Sequence, residues 1–272
     1  MNKGFVILAQ NTASTDYVKC AELLALSIKH VMPHASVSLI TNNHCDWSVF
    51  DHIIELPYGD LAIDSNWKLI NDWQVYEASP YDYTIKLEAD MLIPNNIDYW
   101  WDVLSERDIV VSSTIRNSKN EISKSNYYRK FIVDNNLPNV YNAITYFKKS
   151  PLAEDFFNTV RNIFENWEEY KKILKCDMNE IVTTDWVYSI ACHIIGVEKT
   201  TMPFDQMSMI HMKQFINDSM IEDWTNEFIY ELDENIIKIN TVVQQYPFHY
   251  HVKKFSTEID KHYGELYGYN RN

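Results

Sequence analysis

An apolar run that ends in two carboxylates most constrains how this chain can fold. Residues 83–87 have the composition of a buried strand, and Glu88 and Asp90 follow on either side of Ala89. A second apolar run, 91–93, begins directly afterwards. Side chains at i and i+2 lie on one face of a strand, so the two carboxylates can converge on one point. Buried carboxylates need a partner, and converging oxygen ligands suit a hard cation such as Mg²⁺ or Mn²⁺.

Short apolar runs alternate with amphipathic segments along the first hundred residues. This alternation predicts an α/β fold whose sheet binds a ligand at the carboxyl ends of its strands, where Glu88 and Asp90 lie. We expect strands at 5–9, 37–40, 53–56 and 84–87, and helices at 16–30, capped by Ser14 or Thr15, and at 66–77. Farther along, the patterns predict helices at 150–170 and 180–196.

Composition narrows the class of partner and compartment. The chain has 272 residues and a formal charge of -14, which disfavours nucleic acid and anionic membranes as partners. Its four cysteines are scattered, as expected for reduced thiols in a cytoplasmic protein, bacterial or phage-encoded in a host cell. No apolar stretch approaches the roughly 18 residues of a membrane span, so we expect no integral membrane association.

The acidic motif and the short sequence segments before it resemble the metal motif of the GT-A glycosyltransferases. Upstream lie Asn66-Trp67-Lys68, Tyr76 and Ser79-Pro80, an order similar to that of the glycogenin-like and lipopolysaccharide galactosyltransferase-like group. The resemblance implies a single α/β domain over 1–272, a GT-A (Rossmann-like) mixed sheet flanked by helices. Residues 1–100 would be the nucleotide-binding half and 101–272 the acceptor-binding half.

The same resemblance implies a Mn²⁺ or Mg²⁺ cofactor and a set of metal ligands. Asp90 is the principal ligand, whereas Glu88 stands where the family has Asp and can ligate or contact the sugar. A third ligand would come from one of two histidine clusters. The first is His211, followed by Lys213, and the second is His249 with His251, which we expect on one face of a strand near Lys253 and Lys254.

The implied donor-binding residues follow the first strand. In the resembled family this loop receives the base and ribose, which places Gln10, Asn11 and Thr12 there, with Tyr17 stacked on the base. A plain polar turn is the alternative for the loop. Lys68 would meet a phosphate or a sugar hydroxyl, or be an ordinary solvated lysine. Lys213 would neutralise the diphosphate.

Two further residues match motifs near the transferred sugar. Asn142 corresponds to the Asn of a family strand that contacts the donor sugar, with Ala143 near the family's Gly position. Asp185 resembles an acid that activates the acceptor hydroxyl or stabilises positive charge on the sugar. Its alternative role is a helix N-terminal Asp that interacts with the helix dipole.

The resemblance implies an enzyme that moves a sugar from a nucleoside diphosphate sugar, UDP-sugar first, to an acceptor hydroxyl. A basic loop at 114–131, with Arg116, Lys124, Arg129 and Lys130 around Tyr127 and Tyr128, could hold the acceptor. We favour a glycan over hydroxymethylated phage DNA because of the acidic overall charge. A sugar-nucleotidyltransferase, a metallohydrolase and a non-catalytic sugar-nucleotide-binding protein remain alternatives, and the stereochemical outcome is open.

Overall fold

A six-stranded mixed sheet lies at the centre of the computed structural model, which describes residues 2–45, 48–124, 129–177, 181–203 and 206–267. The strands in these ranges are β1 (Lys3–Leu8), β2 (Val37–Ile40), β3 (His52–Ile54), β4 (Tyr83–Glu88), β5 (Met91–Leu92), β6 (Ile109–Ser112), β7 (Ile115–Arg116), β8 (Tyr141–Lys148), β9 (Met209–His211), β10 (Tyr230–Asp233), β11 (Ile236–Ile239), β12 (Val242–Val243) and β13 (Phe248–His249). The central order is β3-β2-β1-β4-β8-β6. The first four strands are parallel, and β8 runs antiparallel to both β4 and β6.

Helices cover both faces of this sheet. The α-helices in the described ranges are α1 (Tyr17–Val31), α2 (Val75–Ala78), α3 (Trp100–Leu104), α4 (Lys130–Asp134), α5 (Pro151–Glu165), α6 (Trp167–Ile173), α7 (Thr184–Ile195), α8 (Val197–Thr200) and α9 (Phe255–Tyr267), with 3₁₀ helices at Leu69–Gln74, Gln214–Ile216 and Trp224–Asn226. Within the described part of the chain, no helix is both long and apolar enough to cross a bilayer.

The core is divided by the sheet into two clusters, as strand alternation requires. Phe5 and Ile7 of β1 belong to the cluster that includes α1 and α9, whereas Val6 belongs to the cluster that includes α5 and α7. All three side chains are at most 1% exposed. The central sheet is therefore buried on both faces, and its carboxyl edge is left for binding.

A smaller four-stranded sheet, β5-β13-β9-β7, joins the motif to the C-terminal part of the chain. His249 on β13 pairs with Met91 on β5, directly after the acidic motif, and with His211 on β9. A third sheet is the antiparallel ribbon β10-β11-β12. The four-stranded sheet thus brings the carboxylates next to both predicted histidine clusters.

Helix starts follow local capping chemistry. The Asp16 carboxylate accepts a hydrogen bond from the Lys19 N–H at 2.9 Å and caps α1, so our assignment of the cap to Ser14 or Thr15 is wrong by one or two residues. Ser150 caps α5, with Pro151 at the first helical position. Thr183 caps α7, which begins at Thr184 and not at 180 as predicted, and residue 180 itself lies outside the described ranges.

Several other element predictions need correction. The predicted helix at 150–170 is interrupted at Asn166, which separates α5 from α6 and whose amide side chain bonds the carbonyl of Asn162. The predicted helix at 66–77 starts only at Leu69 and is 3₁₀ through Gln74. The second strand is confirmed at 37–40. His249 and His251 do not share a strand, because β13 ends at His249 and His251 has a φ of 61°.

Candidate active site

A cavity of about 490 Å³ opens at the carboxyl edge of the parallel strands. The acidic motif lies at its floor, and the loop after β1, the start of α7 and the C-terminal histidines form its walls. Predicted site residues that line it are Gln10, Thr12, Tyr17, Lys68, Glu88, Asp90, Asn142, Asp185, His211, Lys213, His249 and His251. Twelve of the thirteen predicted site residues therefore converge on one cavity, and Asn11 does not line it.

Asp90 and His249 form the centre of the site. The Nε2 atom of His249 lies 2.8 Å from Oδ2 of Asp90 and 3.5 Å from Oε2 of Glu88. The Lys253 ammonium also bonds Oδ2 of Asp90. Asp90 is 4% exposed and His249 is 6% exposed, so these charges interact with little screening by solvent.

The remaining histidines surround this pair. The His211 ring stacks on that of His249, with centroids 4.6 Å apart and an angle of 23°. One ligand atom each of Asp90, His249 and His251 lie within 4.8 Å of one another. The Nδ1 atoms of His211 and His249 are buried and have no hydrogen-bond partner among the described residues. His251 reaches the group because its left-handed backbone turns the chain back after β13.

These residues fit a divalent cation. A separation of 2.8 Å between Asp90 Oδ2 and His249 Nε2 matches neighbouring ligands on one ion, which lie about 3 Å apart in octahedral geometry. A mixed set of carboxylate oxygen and imidazole nitrogen suits Mn²⁺ better than Mg²⁺, which prefers oxygen ligands. The histidines thus add a preference that the acid pair alone does not give.

Burial and neighbouring charges set the protonation of these groups. Burial opposes ionisation of Asp90, but His249 and Lys253 hold its pKa well below its ordinary value. Burial raises the pKa of Glu88 against the attraction of His249. Burial, together with the nearby His249, lowers the pKa of His211 well below normal and that of His251 to about 3. Asp90 is therefore ionised and these two imidazoles are neutral at pH 7. Burial opposes a charge on His249, but Asp90 and Glu88 raise its pKa, so a bound cation would have to displace a proton from this imidazole.

A second charged group lies on the opposite wall. Asp185, in the first turn of α7, accepts from Nη1 of Arg129 at 2.5 Å and from the backbone N–H of Asn142 at 3.0 Å. Arg129 also stacks on Tyr141, with 4.4 Å between the guanidinium carbon and the ring centroid. Both carboxylate oxygens of Asp185 are thus held in one orientation toward the cavity.

Asn142 lies beside this carboxylate on β8. Its Oδ1 accepts from the Thr184 hydroxyl at 3.1 Å. Its Nδ2 is buried and has no partner within the described ranges. An unpaired buried amide donor in a cavity costs free energy unless a ligand accepts from it, which suits a sugar hydroxyl.

The donor-side residues fall into two groups. Gln10 is buried and bonded to Asn42 and Asn71, and Tyr17 lies beneath Lys253, whose Nζ is 5.6 Å from the ring centroid. Asn11 instead has a structural role, since its Oδ1 accepts from the Val18 N–H at 2.9 Å in the first turn of α1. The predicted base contact by Asn11 is therefore not supported by its position.

The lysines predicted to bind the donor differ in their burial and in their partners. Lys68 pairs with Asp60 at 2.5 Å on the cavity rim. Lys213 is largely buried, and burial lowers its pKa. Lys253, which we expected near the second histidine cluster, is the lysine in contact with the acidic motif.

The basic loop at 114–131 is not a uniform surface of free cations. Arg129 is 3% exposed and lines the cavity, so it is not an exposed residue of the predicted acceptor-binding loop. Arg116 bonds Ser208 and stacks on Tyr246, at 4.2 Å from the ring centroid. Tyr127 and Tyr128 lie outside the described residues.

Sequence reasoning missed a buried ion pair below Glu88. Lys86 of β4 is 1% exposed, and its Nζ lies 2.7 Å from Oδ1 of Asp72 and donates to the Asn142 carbonyl at 3.3 Å. The Tyr188 hydroxyl donates to the other oxygen of Asp72. A lysine in the middle of an apolar strand was the available signal, because such a residue needs a buried partner.

Comparisons with known proteins bear on the fold of the chain. No family model matches the sequence, and a search of curated proteins gives no significant match. Among solved structures, the galactosyltransferase LgtC in complex with donor and acceptor sugar analogs matches with a TM-score of 0.52 and 11% identity, over 95% of both chains. An active-site mutant of LgtC matches with a TM-score of 0.50 and 12% identity over the same shares.

The chain has a GT-A-like glycosyltransferase fold. The predicted mixed sheet flanked by helices in a single domain is thereby confirmed. Glycosyltransferase GlyE of Streptococcus pneumoniae TIGR4 also matches, with a TM-score of 0.44 and 10% identity over 75% of this chain. The chain spans 46% of the length of GlyE, compared with 95% of LgtC.

Proposed function

We propose that this protein transfers a sugar from a nucleoside diphosphate sugar, with UDP-sugar as the first candidate, to a hydroxyl of a glycan acceptor. The observation that carries the proposal is the meeting of Asp90, His249 and His251 with Lys253 at the carboxyl edge of the parallel strands. In an open α/β sheet, this edge is where nucleotides bind.

A divalent cation, Mn²⁺ first and Mg²⁺ second, would be held by Asp90, His249 and His251. Glu88 lies close by, with its Oε2 at 3.5 Å from Nε2 of His249. When bound, the cation would supply positive charge against the departing diphosphate. His211 stacks on His249 and would fix the orientation of that ring, without being a ligand of the ion itself.

The donor would bind to the wall of the cavity that residues 1–100 form. Gln10 and Thr12 offer polar contacts to the base, and the Tyr17 ring offers a stacking surface. Lys253 lies between Tyr17 and Asp90. Its ammonium would therefore be in reach of a diphosphate bound beside these residues. Lys213 would contribute a second cation from the far wall, and Lys68 a third at the rim.

Asp185 and Asn142 would act on the sugar. The unpaired Nδ2 of Asn142 would donate to a sugar hydroxyl. Asp185, fixed by Arg129 and by the Asn142 N–H, would place a negative charge beside the sugar carbon as it becomes cationic. Its two occupied oxygens favour this electrostatic role over proton abstraction from the acceptor.

The test is release of nucleoside diphosphate from a panel of nucleotide sugars with Mn²⁺ present. Asp90→Asn should lower the rate by about 10²-fold or more, because removal of one ligand or charge partner at such a centre has effects of this size. Glu88→Gln should lower it less. Asp102→Asn, at an exposed position on α3, is the matched control and should retain the wild-type rate.

Two outcomes would contradict the proposal. One is full activity of Asp90→Asn in excess chelator, which would remove the metal site from the reaction. The other is formation of nucleoside triphosphate and sugar phosphate when pyrophosphate is added, with no release of nucleoside diphosphate, which would identify a sugar-nucleotidyltransferase.

A further inference from the structure

A second cavity, of about 560 Å³, adjoins the first. Trp67 lines both cavities. Val182 lines the second, and the next residues of the chain, Thr183 and Thr184, line the first. The volume falls within the range of about 300–1,000 Å³ that is usual for small-ligand sites. The second cavity therefore lies next to the candidate active site, and Trp67 forms a wall that both share.

Aromatic rings form the walls of this second cavity. The Trp67 ring is partly exposed and is fixed by the bond from its Nε1 to the Val182 carbonyl at 3.2 Å. Its centroid lies 6.2 Å from that of Phe164. Trp167 lies on the same cavity, and its Nε1 is buried with no partner among the described residues. The partly exposed Trp67 ring and the exposed edge of Trp167 offer apolar surface that suits one face of a sugar ring.

The rim of the second cavity carries carboxylates that are already neutralised. Glu165 is 2.7 Å from Arg161, Glu168 is 3.1 Å from Lys171, and Glu169 is 2.6 Å from Lys172. Each carboxylate keeps lone pairs that can accept from hydroxyls. The three pairs leave no excess of positive charge on these residues, so the rim offers little attraction to a polyanion.

We infer that the second cavity binds the acceptor and that the acceptor is a neutral oligosaccharide. The inference rests on the proposed function and adds the chemical class of the acceptor and its position. One sugar ring would pack between Trp67 and Trp167, with hydroxyls on Glu165 and Glu168. The chain would then pass Val182 so that its end enters the first cavity on the side of Asp185.

The test measures binding directly, with the full chain and no turnover. Neutral probes (maltotriose, lactose and diacetylchitobiose) and an anionic probe (trigalacturonate) are titrated by calorimetry, and UDP with Mn²⁺ is titrated separately. At least one neutral probe should bind, and Trp167→Leu should weaken it about tenfold, as expected for loss of one aromatic contact. Tyr99→Leu, at an exposed aromatic elsewhere, should leave its affinity within about twofold of wild type.

A second variant guards against misfolding of Trp167→Leu, whose side chain is 7% exposed. Trp67→Leu should weaken the neutral probe about tenfold, and Trp67→Phe, which keeps an aromatic ring, should restore most of it. Equal loss of UDP and probe affinity in Trp67→Leu, with no effect of Trp167→Leu, would overturn the separate acceptor cavity.

The failure of this inference is distinct from that of the proposed function. If UDP binds with Mn²⁺ but no neutral probe binds, the acceptor inference is wrong and the transferase proposal stands. Stronger binding of trigalacturonate than of any neutral probe would also overturn it. If a neutral probe binds in a Trp167-dependent way and UDP never binds, the cavity holds a saccharide and the transferase proposal fails.

Discussion

The Lys86 ammonium group is held in the protein interior by one carboxylate. Asp72 lies 2.7 Å away, is 6% exposed, and also accepts from Tyr188. Burial and Asp72 raise the pKa of Tyr188 well above its usual value, so it remains a donor. Taking one member from such a pair leaves the other charge without compensation in a medium of low dielectric constant.

We predict that Lys86→Met lowers the free energy of unfolding by about 3–5 kcal/mol, because Asp72 then keeps a buried charge. The measurement is urea unfolding, with the slope checked against wild type. The double variant Lys86→Met/Asp72→Asn should recover most of the loss, since both charges are gone. A single variant as stable as wild type would show that the pair is solvated in solution.

Residue-level chemistry could be predicted where it depends on neighbours in sequence. Glu88 and Asp90 were recognisable because an apolar strand precedes them and a second apolar run follows. Arg129 was not, because its role depends on Asp185, 56 positions later, and its local sequence is that of a basic surface loop. Charge in sequence indicates exposure only where no distant partner is available.

At the scale of elements, the loop between β3 and the 3₁₀ helix at Leu69–Gln74 depends on one carboxylate. Asp60 lies 2.5 Å from Lys68 and accepts from the Ala62 N–H at 3.0 Å and from Asn71 at 2.7 Å. Burial alone would raise the pKa of Asp60, but Lys68 and these hydrogen bonds lower it to about 2. The loop therefore carries a contribution to stability that depends on pH.

We predict that Asp60→Asn lowers stability by an amount that is constant between about pH 7 and pH 5. A depressed pKa stabilises the fold above the unfolded value of about 4, and that contribution is lost as the pH falls toward 2. The difference in unfolding free energy between wild type and variant should therefore shrink below pH 4. For Lys68→Met, which removes the partner of Asp60, the difference in unfolding free energy from wild type should also shrink below pH 4. A difference that grows as the pH falls would contradict the argument.

Element boundaries were predictable to the extent that capping and periodicity are local. The strand at 37–40 follows from such signals, and the cap of α1 was predicted to within one or two residues. The break at Asn166 and the left-handed backbone of His251 do not, because both depend on how the neighbouring elements pack. The turn at His251 matters most, since it brings that imidazole to Asp90 although the two histidines do not share a strand.

At the scale of the whole molecule, strand pairing places the second histidine cluster nearer to the acidic motif than the first. β13 pairs directly with β5, which begins one residue after Asp90, and β9 lies one strand farther away. Both clusters contain His and Lys, so their sequences alone could not decide between them. The pairing places His249 at 2.8 Å from Asp90, a contact across 159 positions that no local pattern encodes.

This long-range assembly leads to a prediction about linkage. UDP and Mn²⁺ together should raise the melting temperature more than the sum of their separate effects, because each completes the site for the other. At a ligand concentration of about 100 Kd the expected gain is about 2.7 kcal/mol, or about 5–10 °C for a chain of this size.

In Asp90→Asn, the extra rise in melting temperature with both ligands should disappear, because Mn²⁺ then lacks its principal carboxylate. Tyr17 and Gln10 remain available to the base. Asp102→Asn should retain the extra rise in melting temperature. Equal stabilisation by UDP with and without Mn²⁺ in the wild type would mean that Lys253, already on Asp90, alone neutralises the diphosphate. The acid and histidine cluster would then have no bridging cation to hold, and the metal-dependent part of the proposal would be wrong.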